Sequence, residues 1–170
     1  MNKVMVMVLM AAATAVAGEL PAELKLGLGE KEAAALGARM NDPKGPDGWR
    51  LACVEIDTDS GLAYRYRLDW WKLAFSKAAA LNLLRDRQRA LEKEWGKPDV
   101  DKLDPGPLPE RFSVHWFVKG TEVVRTLSYE KKGNAFALAL DIRDNALSAK
   151  CESRKSTRKT YLAGREQQSK

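Results

Sequence analysis

Histidine is the side chain whose ordinary pKa lies closest to neutrality, and this sequence contains a single one, His115. A hydrolase with a serine nucleophile would have to use this imidazole as its general base. On the strand predicted from Phe112 to Val118, His115 points away from the core, and neither a Ser-His-Asp spacing nor a second histidine accompanies it. We therefore expect a surface or interface residue and predict no catalytic residue.

An acidic stretch within the linker at residues 97–111 has the length and the end carboxylates of a calcium-binding loop, from Asp99 to Glu110. Two positions argue against a metal. Leu103 stands where the third oxygen ligand is required, and Asp104 stands where the sharp turn needs glycine. We therefore predict no metal site and no cofactor. One alternative stays open, in which carboxylates of this linker act as the acid and base of a hydrolase.

Residues 1–17 have the three parts of a secretory signal. Lys3 precedes an apolar run that is too short to span a membrane, and the run ends in the small residues Ala15-Val16-Ala17. We expect cleavage after Ala17, export to a bacterial periplasm or to the medium, and no transmembrane segment in the chain that remains.

The two cysteines of the chain, Cys53 and Cys151, would then lie in an oxidising compartment. A pair of cysteines is more often bonded than free in such a compartment, so we predict a Cys53–Cys151 disulfide. Because the loop that it closes is long, the bond would stabilise the fold by about 2–4 kcal/mol.

The net charge of +6 is concentrated at the end of the chain. Residues 18–149 carry equal numbers of basic and acidic side chains, whereas residues 150–170 carry seven basic and two acidic ones. We predict one domain at 18–149, followed by a basic and mostly disordered tail at 150–170. The neutral domain argues against a specific nucleic-acid partner. A tail that binds anionic surfaces remains an alternative.

Apolar periodicity and turn residues predict an α+β fold. The expected elements are a helix at 30–40, a hairpin around 57–61, a helix from Trp70 or Ser76 to Trp95, the linker at 97–111, and three strands between 112 and 142. Gly96 and Pro98 end the second helix. The order α-β-β-α-β-β-β predicts one antiparallel sheet of about five strands with two helices on one face.

Turn length predicts the register of the two hairpins. Around residues 57–61, pairing Ile56 with Leu62 places Tyr64 on the core face and Leu51 and Ala63 on the opposite face. A two-residue turn at Lys119-Gly120 pairs Trp116 with Val123.

Alternation along the strands separates an apolar core face from a second, mixed face. The core face holds residues such as Trp116, Leu127 and Leu138. The second face mixes one aromatic with charged and small side chains, a composition that is typical of protein interfaces. The predicted binding residues on this face are Arg65, Arg67, His115, Phe117, Glu122 and Thr126.

Three aromatic residues lie at the entry of the second helix, Trp70, Trp71 and Phe75. They could form a patch on which a ligand stacks. Aromatic side chains at a helix entry more often anchor the helix in the core, and we expect that role here.

Two segments resemble parts of small bacterial envelope domains. Leu26 to Leu36 (LGLGEKEAAAL) resembles an opening in which a strand and a glycine lead into a small helix. Leu83 to Asp99 resembles a passage from a helix through an aromatic-Gly-Lys-Pro motif, here Trp95 to Pro98. The group includes domains of the β-lactamase-inhibitor-protein-like fold and the small outer-membrane-assembly lipoproteins, whose lipidated cysteine this chain lacks. The resemblance implies an α+β domain that binds proteins through a sheet face.

These features predict an exported, non-enzymatic domain that binds another envelope or secreted protein, such as an inhibitor, an immunity factor or an assembly factor. Fold class and composition do not identify the partner protein.

Overall fold

A computed structural model describes residues 20–21, 24–42, 48–102, 111–118 and 123–161. The elements are α1 (Glu30–Met40), β1 (Trp49–Asp57), β2 (Ala63–Trp70), α2 (Lys77–Trp95), β3 (Val100–Lys102), β4 (Arg111–Val118), β5 (Val123–Lys132), β6 (Ala135–Asp144), α3 (Asn145–Arg154) and β7 (Thr157–Tyr161). The α+β class is confirmed, with one more helix and more strands than expected. None of the helices in these ranges is long and apolar enough to cross a membrane. The predicted signal at 1–17 lies outside the described residues.

All strands belong to one antiparallel sheet in the order β3-β4-β5-β6-β2-β1-β7. At its centre, one aliphatic side chain from each of five adjacent strands forms a continuous buried row. The row is Val114, Leu127, Leu140, Leu68 and Leu51, each paired with the next across the sheet. Because side chains alternate along a strand, this row fixes which face of every strand is the core face.

Helices α1 and α2 cover this core face. Ala33 of α1 and Leu84 of α2 belong to the same buried cluster as the central row of the sheet. Helix α2 begins after Ser76, whose hydroxyl accepts a hydrogen bond from the Ala79 N–H at 3.1 Å, and it ends at Gly96 with φ of 77°. Both boundaries match the sequence signals, because an N-cap serine and a C-terminal glycine act locally.

The first hairpin departs from its predicted register because β1 contains two irregularities, between Leu51 and Cys53 and between Glu55 and Ile56. Each one changes which face the following residues occupy. The predictions for Leu51 and Ala63 were therefore wrong, since both are buried in the core cluster. Tyr64 lies outside that cluster and instead bonds to the Glu55 carboxylate at 3.0 Å.

In the second hairpin, Trp116 pairs with Arg125 rather than with Val123, a shift of two residues. A shift of two leaves every side chain on its predicted face, because the side-chain period of a strand is two. The predicted turn at 119–120 lies outside the described residues.

The predicted tail is partly folded, and the expectation of disorder was wrong for residues 150–161. They form the end of α3 and the whole of β7, which pairs with β1 from Cys53 to Asp57. Composition suggested a solvated tail, but strand pairing and two buried side chains, Cys151 and Ser156, order this basic segment. Residues 162–170 lie outside the described residues.

The predicted disulfide is absent, and both cysteines are free and buried. Cys151 lies on α3, where its thiol bonds to Asp57, and Asp57 lies four residues beyond Cys53 along β1. Four residues of strand span about 13 Å, whereas a disulfide needs Cα atoms about 4.4–6.8 Å apart. Burial raises the pKa of both thiols, so they stay protonated at neutral pH.

Tyr129 in the core carries a hydroxyl that forms no hydrogen bond within the described residues. Its ring packs between Phe112, at a centroid distance of 4.9 Å, and Phe136, at 5.4 Å. A buried polar group without a partner is destabilising by about 1–3 kcal/mol. We predict that Tyr129→Phe keeps the free energy of unfolding unchanged or raises it by about 1 kcal/mol, as measured by urea denaturation.

Tyr64→Phe is the matched control, because the Tyr64 hydroxyl bonds to the Glu55 carboxylate at 3.0 Å and to the Thr157 hydroxyl at 2.8 Å. Its loss should lower the free energy of unfolding by about 1–2 kcal/mol. An equal loss in both variants would show that the Tyr129 hydroxyl has a partner after all.

Candidate functional site

The second face of the sheet carries a groove of about 330 Å3, and we call the side chains that line it, together with Phe117, the open face. All of the lining residues come from strands, and none comes from a helix. They are Arg65, Arg67, Ser113, His115, Thr126, Ser128, Glu130, Ala139, Asp141 and Arg143.

The structure brings together four of the six predicted binding residues in this groove: Arg65, Arg67, His115 and Thr126. Phe117 lies beside them, with its ring stacked against that of His115 at a centroid distance of 6.5 Å. Glu122 lies outside the described residues. Strand alternation was sufficient to find this face, because the five predicted residues that the structure describes point to the same side of the sheet.

Arg65 holds two carboxylates from the neighbouring strands. Its Nη2 and Nε atoms donate to Asp141 Oδ2 at 2.6 and 2.8 Å, and its Nη1 donates to Glu55 Oε1 at 3.3 Å. Burial by itself would lower the pKa of Arg65, but the hydrogen bond and charge of Asp141 and the charge of Glu55 outweigh it and raise that pKa. The guanidinium is therefore a fixed cation that ties β1, β2 and β6 together.

Arg67 forms a second network toward the other end of the groove. It donates to Asp69 Oδ1 at 3.3 Å and to Glu130 Oε2 at 3.2 Å. Its pKa is raised in the same way, since the two carboxylates outweigh the effect of burial. Since both arginines are held by neighbouring side chains, the charges of this face are ordered before any partner arrives.

Arg143 differs from the other two arginines of the groove. Its Nε donates to the side-chain oxygen of Asn145 at 2.8 Å, and no carboxylate in the described part of the chain forms an ion pair with it. It lies in the same cross-strand row as Phe117, with Val124 between them. Arg143 was not among the predicted binding residues, because the last strand was expected to end at Ile142, before this residue.

His115 is held between two hydroxyls. Its Nε2 lies 2.9 Å from Ser113 Oγ, and its Nδ1 lies 3.0 Å from Thr126 Oγ1. A serine beside an imidazole is the first half of a nucleophile and base pair. The Thr126 group at Nδ1 is a neutral hydroxyl, which cannot stabilise an imidazolium as a carboxylate does. Asp141, the neighbour of Thr126 in register, is held by Arg65 instead.

Carboxylates of the linker contribute to structure where they are described. Asp99 Oδ2 accepts a hydrogen bond from the backbone N–H of Phe117 at 2.7 Å, and residues 100–102 form β3. Residues 103–110, which include Asp104 and Glu110, lie outside the described residues. Among the described residues, no cluster of histidine, cysteine, aspartate and glutamate could hold a metal ion.

A second pocket of about 510 Å3 lies at the other side of the sheet, where Leu20, Leu24 and Leu26 line its wall. Arg125 also lines it, at a position that sequence alternation assigns to the core face. Its guanidinium lies 4.2 Å from the ring centroid of Trp95, and burial lowers its pKa. The aromatic face thus accommodates a cation at the edge of the core.

Comparison of the chain with protein-family models, with curated proteins and with solved structures finds no match. A proposal for the function of this chain therefore depends on the arrangement of the open face and not on similarity to a known protein.

Proposed function

We propose that the chain is an exported, non-enzymatic domain that binds another protein through the open face. The observation that carries this proposal is that Phe117, whose side chain is 48% exposed, and Arg143 lie in one cross-strand row at one end of the open face. The other two arginines of this face already form ion pairs with carboxylates. Aromatic side chains and arginines are among the side chains that most often dominate binding energy at protein interfaces.

The fixed ion pairs of the face support a protein partner over a small charged ligand. Arg65 and Arg67 already have carboxylates within 3.3 Å, so an added anion would have to displace them. A partner that presents an apolar pocket to Phe117 and an acidic group to Arg143 does not have to displace these carboxylates. Because the ion pairs of Arg65 and Arg67 already fix their side chains across four strands, little side-chain entropy of these residues is lost on binding.

Hydrolysis is supported less well by the same geometry. Ser113 and His115 are in contact, and on its other side the ring contacts the neutral hydroxyl of Thr126 rather than a carboxylate at that position. The alternative that the tail binds an anionic surface is weakened as well, since Lys159 of β7 forms an ion pair with Glu55 at 3.0 Å.

Export itself rests on residues 1–17, and we retain a bacterial periplasmic or secreted location as part of the proposal.

The proposal predicts that Phe117 contacts the partner directly. A photo-crosslinking amino acid at position 117, introduced in the host that exports the protein, should link the chain to one discrete protein. Position 62 is the matched control, because Leu62 is also exposed, at 40%, but lies in the β1–β2 turn. Identical products from positions 117 and 62, or no product from 117, would contradict the proposal.

Once that protein is identified, Phe117→Ala should weaken its binding by at least about tenfold in a titration, and its melting temperature should stay within about 2 °C of the original. Arg143→Glu should weaken binding further, because it reverses the charge that we assign to the partner contact. A Phe117→Ala variant that melts far below the original protein would mean that this face is buried.

A further inference from the structure

Large apolar side chains are concentrated in one exposed loop between β2 and α2. The described residues have five exposed large hydrophobic side chains, and three of them fall within this loop: Trp71 at 43%, Leu73 at 43% and Phe75 at 79% exposed. The prediction that Trp71 and Phe75 anchor the core was therefore wrong. Only Trp70 has that role, with its ring 5.1 Å from the ring of Trp49.

This loop is held in place rather than collapsed onto the core. Ala74 is buried, and its N–H donates to the Phe136 carbonyl at 2.9 Å while its carbonyl accepts from the Phe136 N–H at 2.7 Å. Since Ala74 pairs with the sheet, its neighbours on both sides project outward. The fold thus exposes these apolar side chains to water, which is unfavourable, and they do not contribute to packing of the core.

Lysines surround the apolar side chains at this end of the sheet. Lys72 lies within the loop, with its Nζ 5.8 Å from the Trp71 ring, and Lys77 begins α2. Lys131 is exposed and pairs with Phe136, the strand residue to which the loop is bonded. Residues 71–77 contain no carboxylate. The two acidic residues nearest in the strands, Asp69 and Glu130, are held by Arg67.

We propose that the loop formed by residues 71–77 is a membrane-contact site that binds the surface of an anionic phospholipid bilayer. Tryptophan, leucine and phenylalanine side chains enter the boundary between headgroups and acyl chains, and lysines pair with lipid phosphates. A lipid surface is anionic throughout, which suits a loop that has cations and no carboxylate. A protein partner would need a specific arrangement of acidic groups.

Membrane contact through this loop is compatible with binding through the open face. Phe112, near Lys77, and Phe117 lie at opposite ends of β4, and five residues of strand span about 17 Å. A sheet that stands on the bilayer by its loop end would hold Phe117 away from the lipid. The two surfaces can therefore be occupied together, and neither proposal depends on the other.

Vesicle co-sedimentation tests this proposal. The exported chain should sediment with vesicles of phosphatidylcholine mixed with phosphatidylglycerol and not with vesicles of phosphatidylcholine alone. Phe75→Asp should reduce the bound fraction at least about tenfold, and Lys72→Glu should reduce it in low salt. Because Phe75 and Lys72 are both exposed, both variants should melt at the original temperature, which separates loss of binding from loss of folding.

Leu62→Asp is the matched control, since it adds the same charge at an exposed leucine in the β1–β2 turn, and it should bind vesicles as the original chain does. All of these proteins are exported by the same host, so they have the same N-terminus. Failure to sediment with either vesicle, or equal losses in Phe75→Asp and Leu62→Asp, would overturn the proposal. So would a dimer, detected by sedimentation velocity, that Phe75→Asp dissociates without any lipid present, because the loop would then be a contact between two copies.

Discussion

Deleting residues 156–170 is expected to destabilise the domain by at least about 3 kcal/mol, although composition alone marks this segment as a dispensable tail. The deletion removes β7, which pairs with five residues of β1, and each ladder hydrogen bond contributes about 0.5–1.5 kcal/mol. It also removes Thr157, whose hydroxyl bonds to the buried Tyr64, and Lys159, which pairs with Glu55. Thermal and urea unfolding of the shortened chain measure the effect.

A chain that ends at Tyr161 is the control, because it keeps β7 complete while losing residues 162–170. It should melt within a few degrees of the original protein, because it keeps the pairing of β7 with β1 and the contacts of Thr157 and Lys159. If the chain that ends at Lys155 is as stable as this control, strand β7 is not part of the cooperative fold, and the sheet ends at β1.

Leu84→Ala is expected to have the largest effect of any single substitution discussed, a loss of about 2–5 kcal/mol in the free energy of unfolding. Leu84 has 0% of its surface exposed and lies in the middle of α2, within the core cluster. Truncation removes apolar contacts and leaves a cavity that the rigid sheet beneath can fill only in part. Urea denaturation measures the loss, provided that the transition stays two-state.

Arg89→Ala on the same helix separates the cavity from any effect of alanine on helix formation. The Arg89 side chain is 74% exposed, and its ion pair with Asp86 is a surface pair that contributes little. Because alanine is the best helix former, this variant should stay within about 0.5 kcal/mol of the original protein. A similar loss in both variants would mean that Leu84 is not a core residue.

Much of the candidate site could be predicted because it depends on the alternation of neighbouring residues. His115 and Thr126 were assigned to one face from separate strands, and the structure pairs them directly. Arg143 was not predicted, because β6 continues to Asp144 and the sequence pattern placed the end of this strand at Ile142. The hydroxyl that contacts His115 Nδ1 could not be foreseen, since a two-residue difference in turn length decides which side chains lie opposite each other.

By itself, the sequence determined the class of the fold, the bounds of α1, the end of α2 and the faces of the later strands. Each of these depends on residues that are close along the chain, such as Gly96 at the end of α2 or the alternation around Leu138. Local signals of this kind do not depend on contacts with distant segments of the chain.

Only the tertiary structure decided the irregular register of β1, the separation of the cysteines and the exposure of the loop at residues 71–77. At Leu51, the backbone N–H and carbonyl both bond to the Asn41 side chain at 2.9 Å, a contact across ten residues. Cys151 reaches Asp57 rather than Cys53 because α3 and β7 fold back onto the sheet from the end of the chain. These outcomes depend on which distant groups satisfy each other's hydrogen bonds and fill the same space, and no local pattern encodes that choice.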